Sequence, residues 1–345
     1  MRDFIYSLMT DRLNKKMHAP FKAALYLLSL VYGAAILLRT IFYRLGIFRP
    51  EKAPLKIISV GNITLGGTGK TPFVISLARL LKDEMAGEVS VLIRGYGWDE
   101  QAMLKKSLTD IPIIVGENRA RSARRAVKLY GSDTAILDDG FQHWELRRDM
   151  DIVLVDSRNP FGNGHLFPRG ILRETKSAIK RADVIVFTKT DAKPYGISEL
   201  KKEISGINAD ALYIEARHKP KHIYDMKTKK IYELAYLGGK KIALLSGIGD
   251  PDYFKEAVEG FGADVVRHFV YEDHHDYTQA DVEEAAAACV GLKFDAIVTT
   301  EKDAVKLNRF GLSIGRYPIL VMAIEMEISR GKENLVDRLN SLYTR

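Results

Sequence analysis

Residues 56–85, KIISVGNITLGGTGKTPFVISLARLLKDEM, read as a buried strand, a glycine-rich turn and an amphipathic helix. Residues 56–60 supply a short apolar run rich in β-branched side chains, while Phe73, Val74, Leu77, Leu80 and Leu81 recur at helical spacing. Between them, Gly66, Gly67, Thr68, Gly69, Lys70 and Thr71 form a phosphate-binding loop. Glycines let backbone N–H groups converge on phosphate oxygens, the helix N-terminus adds positive potential, and Lys70 supplies a mobile charge for β- and γ-phosphates. The Thr71 hydroxyl is then placed to ligate magnesium, and Pro72 gives up an N–H that has no partner inside a helix. Thr64 stands where G-x-x-x-x-G-K-[ST] has its first glycine, so a ligand-free strand-to-helix turn stays open on this motif alone.

Further groups follow in chain order. A strand at 89–93 ends in Arg94-Gly95-Tyr96-Gly97, and Asp99 and Glu100 come next: a base and a metal ligand, or a solvated loop. A strand at 111–115 leads into a helix whose Arg119 and Arg121 hold an anionic headgroup or form a solvated face. The apolar run 135–137 ends in Asp138 and Asp139, which suits a magnesium-binding strand end or an Asp-Gly turn. Strands at 151–156 and 183–188 flank FGNGHLFPRGILRE, whose Arg173 and Glu174 fall near the carboxyl edge of a parallel sheet. Residues 188–191, TKTD, match the guanine-reading [NT]-K-x-D, and residues 300–303, TEKD, match it again. A hairpin with arms at 212–216 and 230–235 divides the chain. A second α/β unit follows, with strands at 242–245, 265–270, 296–300 and 319–323 and helices at 251–260 and 279–291. Its YEDHHDY, residues 271–277, offers a metal site, an unliganded loop or an acid/base partner.

The 345 residues suffice for two α/β domains with their own cores. A net charge of +8 favours an anionic partner, whether nucleotide, phospholipid surface, acidic substrate or nucleic acid. The single cysteine, Cys289, excludes an intrachain disulfide and a cysteine-based metal site. Residues 23–38 carry no charge, and up to residue 56 ten Lys or Arg stand against three acids. An apolar run with basic flanks suits a helix lying in or dipping into an anionic membrane surface. A buried core helix and a cleaved signal peptide are the alternatives.

Taken together, the motifs resemble the tetraacyldisaccharide 4'-kinase family, the lipid A kinases of Gram-negative bacteria. The matching stretches are SVGNITLGGTGKTP (59–72), RGYG (94–97), VGENRARSA (115–123), LDDGFQH (137–143), FGNG and LRE (within 161–174), SGIGDP (246–251), DHHDYT (273–278) and TEKDAVK (300–306), in the family's order. The resemblance implies two α/β/α domains, the first a P-loop NTPase-like parallel sheet, joined by a β-hairpin linker, with an N-terminal hydrophobic membrane-associating helix and an active site in the cleft. The segments are then 1–50 for the membrane, 51–208 for the P-loop kinase domain, 209–237 for the linker and 238–345 for the second domain.

The implied reaction moves the γ-phosphoryl of ATP, with Mg2+, to the 4'-hydroxyl of a tetraacyldisaccharide 1-phosphate in lipid A biosynthesis. It takes place at the cytoplasmic face of the inner membrane, on a membrane-embedded substrate and an anionic surface, with no nucleic acid. By motif, Lys70 and the loop Gly66 to Thr71 hold the nucleotide, Thr71, Glu100, Asp138 and Asp139 hold metal, and Asp99 is the general base supported by His274. Arg94, Tyr96, Arg119, Arg121 and Glu174 fall to the substrate. Trp98, Gln101, Arg169 and Ile171 depart from the family's pattern. The competing readings are a P-loop GTPase of the metallochaperone or targeting type and a membrane-bound nucleotide-binding module without catalysis.

Overall fold

The computed structural model describes residues 2–344 except 12, 14, 15, 96, 192–195, 290, 292, 311, 312, 315 and 316. The chain opens with α1 (Arg2–Met9) and α2 (Ala19–Arg44). It continues through β1 (Lys56–Asn62), α3 (Lys70–Arg79), β2 (Val89–Ile93), α4 (Trp98–Ser107), β3 (Ile113–Val115), α5 (Arg119–Tyr130), β4 (Thr134–Asp138), β5 (Met150–Asp156), β6 (Val184–Thr188) and α6 (Ile197–Ser205). After β7 (Leu212–Asp225) and β8 (Ile231–Tyr232) come β9 (Lys241–Ser246), α7 (Pro251–Glu259), β10 (Asp264–Val270), α8 (Gln279–Ala288), β11 (Ala296–Thr300), α9 (Glu301–Leu307), β12 (Ser313–Ile314), β13 (Tyr317–Arg330) and α10 (Lys332–Asn340). Two compact units result: Met1–Arg94 with Ile111–Arg217 and Ile328–Arg345, and Gly95–Asp110 with His218–Glu327.

In the first unit the strands run parallel in the order β7-β6-β5-β1-β4-β2-β3. β1 lies between β4 and β5, so the loop leaving it opens at the middle of the carboxyl edge, where parallel sheets bind ligands. β2, β4, β5 and β6 are buried along their whole length, which explains why they read as continuous apolar runs. Ala120, Ala123 and Ala126 of α5 pack on Ile57, Leu92 and Leu137, and Leu200 and Ile204 of α6 pack on Val153, Ile185 and Phe187. Gly61 in β1 has no room for a side chain, because a β-carbon there would lie 2.6 Å from Phe141 Cβ and 2.8 Å from its backbone nitrogen.

In the second unit β10-β9-β11-β13 run parallel, with β12 antiparallel to β13. Successive residues face opposite sides, as a pleat requires. Ala243, Leu245, Ile297 and Val321 meet Val282 and Ala285 of α8, while Leu244, Val298, Leu320 and Met322 meet Phe254 and Val258 of α7. The hairpin differs from the expected one. Ile223 and Tyr224 pair antiparallel with Tyr232 and Ile231, whereas residues 212–215 pair parallel with β6. Joining β6 leaves Ile214 only 1% exposed, and that burial decides the partner.

The 26-residue α2 is long and apolar enough to cross a membrane by length and composition. It is not a core helix, since Ser29 is its only buried side chain. Partly covered residues fall at 22, 25, 29, 32, 33, 36, 39, 40 and 43, a single helical stripe. Along it Tyr26 meets His165, Tyr32 meets Phe167 and Tyr43 meets Trp144. The opposite face exposes Leu27, Val31, Leu38, Ile41 and Phe42.

Candidate active site

Both units bring polar side chains of the matched motifs together. In the first, β1 delivers the chain to the phosphate loop through a pair of buried side-chain hydrogen bonds. Fully buried Asn62 donates from Nδ2 to Thr68 Oγ1 at 2.8 Å, and Thr188 Oγ1 donates to the Thr68 carbonyl at 3.1 Å. Gly66 (φ 106°) and Gly69 (φ 84°) hold backbone conformations that side chains disfavour. Gly69 caps α3, so Lys70 and Thr71 stand in its first turn, where backbone N–H groups lack helical partners.

The register of β4 sets Asp138 beside Val60. Asp139 follows in a left-handed conformation (φ 53°), accepts from Arg173 Nη1 at 2.9 and 2.8 Å, and lies 3.6 Å from Lys70 Nζ. Burial alone would raise its pKa, but the charges of Lys70 and Arg173 outweigh that and hold it below the usual carboxylate range. Buried Arg119 donates from Nη2 to the Asp138 carbonyl at 3.4 Å. Its pKa falls to about 10 through burial and the repulsion of Arg94, against the pull of Asp138, so it stays charged at neutral pH. Arg121, two residues on, is exposed, with its backbone N–H capped by Asn118. Tyr96 lies outside the described residues.

The glycine-rich 161–174 loop pairs with the chain entering the phosphate loop. Leu65 N donates to the Ile171 carbonyl and Arg173 N to the Ile63 carbonyl, both at 2.7 Å. Glu174 is 2% exposed and accepts from Arg181 at 2.8 and 3.1 Å through its two oxygens. Arg169, a departure from the family pattern, grips both oxygens of Asp11 at 3.0 and 3.2 Å. Tyr32 of α2 donates to the Arg173 carbonyl at 3.0 Å.

Thr71, Asp138 and Asp139 are oxygen donors, the chemistry that magnesium prefers. Among the described residues no three His, Cys, Asp or Glu side chains form a metal-holding group. A sparse oxygen set fits magnesium, which usually keeps water and phosphate oxygens as most of its ligands.

In the second unit, residues 98–107 form helix α4 rather than a loop. Asp99 is 2% exposed, and its Oδ2 lies 3.3 Å from His274 Nδ1 and 3.0 Å from Lys306 Nζ. Burial would raise the Asp99 pKa, but hydrogen bonds from His274 and Lys306, with the charges of Lys306 and Lys302, hold it far below the usual range. Facing an ionised carboxylate, His274 Nδ1 carries the proton. His274 Nε2 lies 3.8 Å from Glu100 Oε1 and 3.9 Å from Asp273 Oδ2, and Lys302 holds Asp273 at 2.7 Å.

The two histidines of YEDHHDY part company. His275 bonds Asp281 at 3.0 Å and stacks on Tyr271, whereas His274 turns to Asp99, so no metal site forms from the pair. Of the guanine-type matches, TEKD is a helix start, in which Thr300 Oγ1 caps the Asp303 N–H at 3.1 Å. In TKTD, Lys189 is buried with Nζ 2.5 Å from Asp156 Oδ2. Cys289 is buried at the end of α8.

Sequence reasoning missed Asn62, Arg181 and Lys306. The available signal was a polar residue in an apolar setting: Asn62 closes a buried strand, and Lys306 stands between Val305 and Leu307.

Residues 21–102 and 97–343 match the family model described as tetraacyldisaccharide-1-P 4'-kinase. A tetraacyldisaccharide 4'-kinase of Syntrophus aciditrophicus is 36% identical, over 97% of this chain and 98% of that protein. One from Halothermothrix orenii is 36% identical over 84% of each. Among solved structures, the "apo" form of LpxK from Aquifex aeolicus in complex with ATP matches with a TM-score of 0.71 at 25% identity, covering 93% of this chain and 99% of that one. Motifs, sheet and relatives agree, and the chain belongs to the tetraacyldisaccharide 4'-kinase family.

Proposed function

We propose that the chain moves the γ-phosphoryl of ATP to the 4'-hydroxyl of a membrane-embedded tetraacyldisaccharide 1-phosphate at the cytoplasmic face of the inner membrane. Backbone N–H groups from Gly66 to Thr71 cradle the phosphates, and Lys70 moves its charge from Asp139 toward them. Thr71, Asp138, Asp139 and Glu100 would hold magnesium, which neutralises charge on the phosphate oxygens when bound. Arg94, Tyr96, Arg119 and Arg121 bind the substrate's anionic side, and Glu174, fixed by Arg181, belongs to the substrate-side loop. The exposed face of α2 lies against the anionic lipid surface, which also accounts for the basic charge without nucleic acid.

A sugar hydroxyl is a weak nucleophile, so its proton must leave as the bond to phosphorus forms. Asp99 accepts that proton, and His274 keeps it ionised and oriented. The contact of buried Asp99 with His274 carries this reading, because a module that only binds nucleotide has no use for a carboxylate withdrawn from water and held ionised beside an imidazole. A GTPase is not favoured, since Lys189 of TKTD is committed to Asp156.

The experiment is ATP-dependent phosphorylation of a tetraacyldisaccharide 1-phosphate in mixed micelles, with Lys70→Ala and Asp99→Ala compared with the parent. The expected result is a bisphosphorylated lipid from the parent and a loss of roughly a hundred- to ten-thousandfold in kcat for Asp99→Ala. A parent that makes no such lipid, or an Asp99→Ala variant at parental rate, overturns the proposal.

A further inference from the structure

Lys306 sits on the last turn of α9, 2% exposed, and its ammonium makes two contacts. One is Asp99 Oδ2 at 3.0 Å and the other is the His275 carbonyl at 3.0 Å. A lysine this deeply buried is rare without a partner of opposite charge, and here it joins the helix bearing Asp99 to the loop bearing His274. Its first turn is fixed as well, because buried Asp303 accepts from Tyr277 Oη at 3.0 Å and from Thr300 Oγ1 at 2.7 Å.

The geometry points to Lys306 as a positioning residue for the proposed base: by sharing Asp99 Oδ2 with His274, it commits that oxygen and leaves Oδ1 to meet the substrate hydroxyl. Among the described residues Oδ1 makes no hydrogen bond. Space beside it is kept by Gly97, whose absent β-carbon would stand 3.2 Å from Oδ1 in a left-handed conformation (φ 75°). With both donors on one oxygen, the carboxylate cannot rotate to exchange its oxygens without breaking two charge-assisted bonds. The inference rests on Asp99 being the base, and its test separates the two.

Lys306→Met and Lys306→Arg are made in the parent and Lys306→Met also in Asp99→Asn, with kcat and both KM values measured in the micelle assay. Lys306→Met lowers kcat roughly a hundredfold, the order expected for a misplaced catalytic group, with KM for ATP and lipid within about threefold. Lys306→Arg, which keeps charge and donors, recovers at least about tenfold over Lys306→Met. The decisive comparison is Asp99→Asn against Asp99→Asn/Lys306→Met. Equal kcat values mean that Lys306 acts through Asp99, whereas a further fall of about tenfold or more overturns the inference. The double variant leaves no buried charge unpaired, so it supplies the result even if Lys306→Met alone does not fold. Parental activity in Asp99→Asn overturns the base assignment itself, whereas loss in Asp99→Asn beside parental activity in Lys306→Met overturns only the role of Lys306.

Discussion

Replacing Leu27, Val31 and Leu38 together by serine tests whether the outer face of α2 is built for lipid. The three side chains are 64%, 69% and 54% exposed and lie on the side away from the stripe that meets His165, Phe167 and Trp144. Full burial of such a side chain is worth about 1.5–3 kcal/mol, so covering roughly six-tenths of each with acyl chains gives about 0.9–1.8 kcal/mol apiece. Losing all three costs about 3–5 kcal/mol of membrane partitioning, a fall of roughly a hundred- to several-thousandfold. The assay is co-sedimentation with vesicles containing anionic phospholipid, beside a thermal melt without lipid. Because exposed positions contribute little to folding, the melt should hold its Tm within a few degrees. Vesicle binding at the parental level refutes the reasoning, and so does a collapsed melt, which would mean that this face is packed rather than free.

Three further outcomes follow from the packing. Gly61→Ala drives a β-carbon to 2.6 Å from Phe141 Cβ, and overpacking of this kind should cost about 1–3 kcal/mol in a denaturant melt. Arg181→Ala strands the buried Glu174 carboxylate and should cost roughly 3–5 kcal/mol, with Arg181→Ala/Glu174→Gln more stable than the single variant in the same melt. Asp11 has its pKa lowered to about 2: burial opposes the shift, but bonds from Lys22, Asn163 and Arg169 overcome it. A carboxyl lowered on folding stabilises fully above its unfolded pKa and loses that contribution as pH falls toward 2. Asp11→Asn should therefore cost on the order of 1 kcal/mol at neutral pH, after solvent screening, and nothing near pH 2, read from Tm against pH.

Much of the first sheet was legible because parallel strands covered on both faces leave unbroken apolar runs, as at 89–93 and 151–156. Other elements left a weaker trace. β13 continues to Arg330, well past the expected 319–323, because its later residues alternate with charged side chains and break the apolar run. Residues 212–216 have the pattern of a hairpin arm and of a parallel strand alike, and only the burial available beside β6 decides between them. Helix α4 carries charges on nearly every side, so no periodicity marks its inner face, although it buries Asp99 and Leu104.

The candidate site divides along the same physical line. Groups that need a special backbone announce themselves, since Gly66 and Gly69 must be glycine to turn and Asp138 must end an apolar strand. Groups that act by charge balance do not, because the balance is struck between residues far apart in sequence: Asp99 with Lys306, Asp139 with Arg173, Glu174 with Arg181. Each acid was visible in a motif, yet of the three cations only Arg173 stood out, and that by its place beside Glu174. For Asp99 and Glu174, each 2% exposed, the cost of an unpaired buried charge makes such a partner obligatory once the fold is known. It follows that an acid read from sequence and buried by the fold predicts an unseen cation. Here that cation is Lys306, which accounts for an ionised Asp99 that is only 2% exposed.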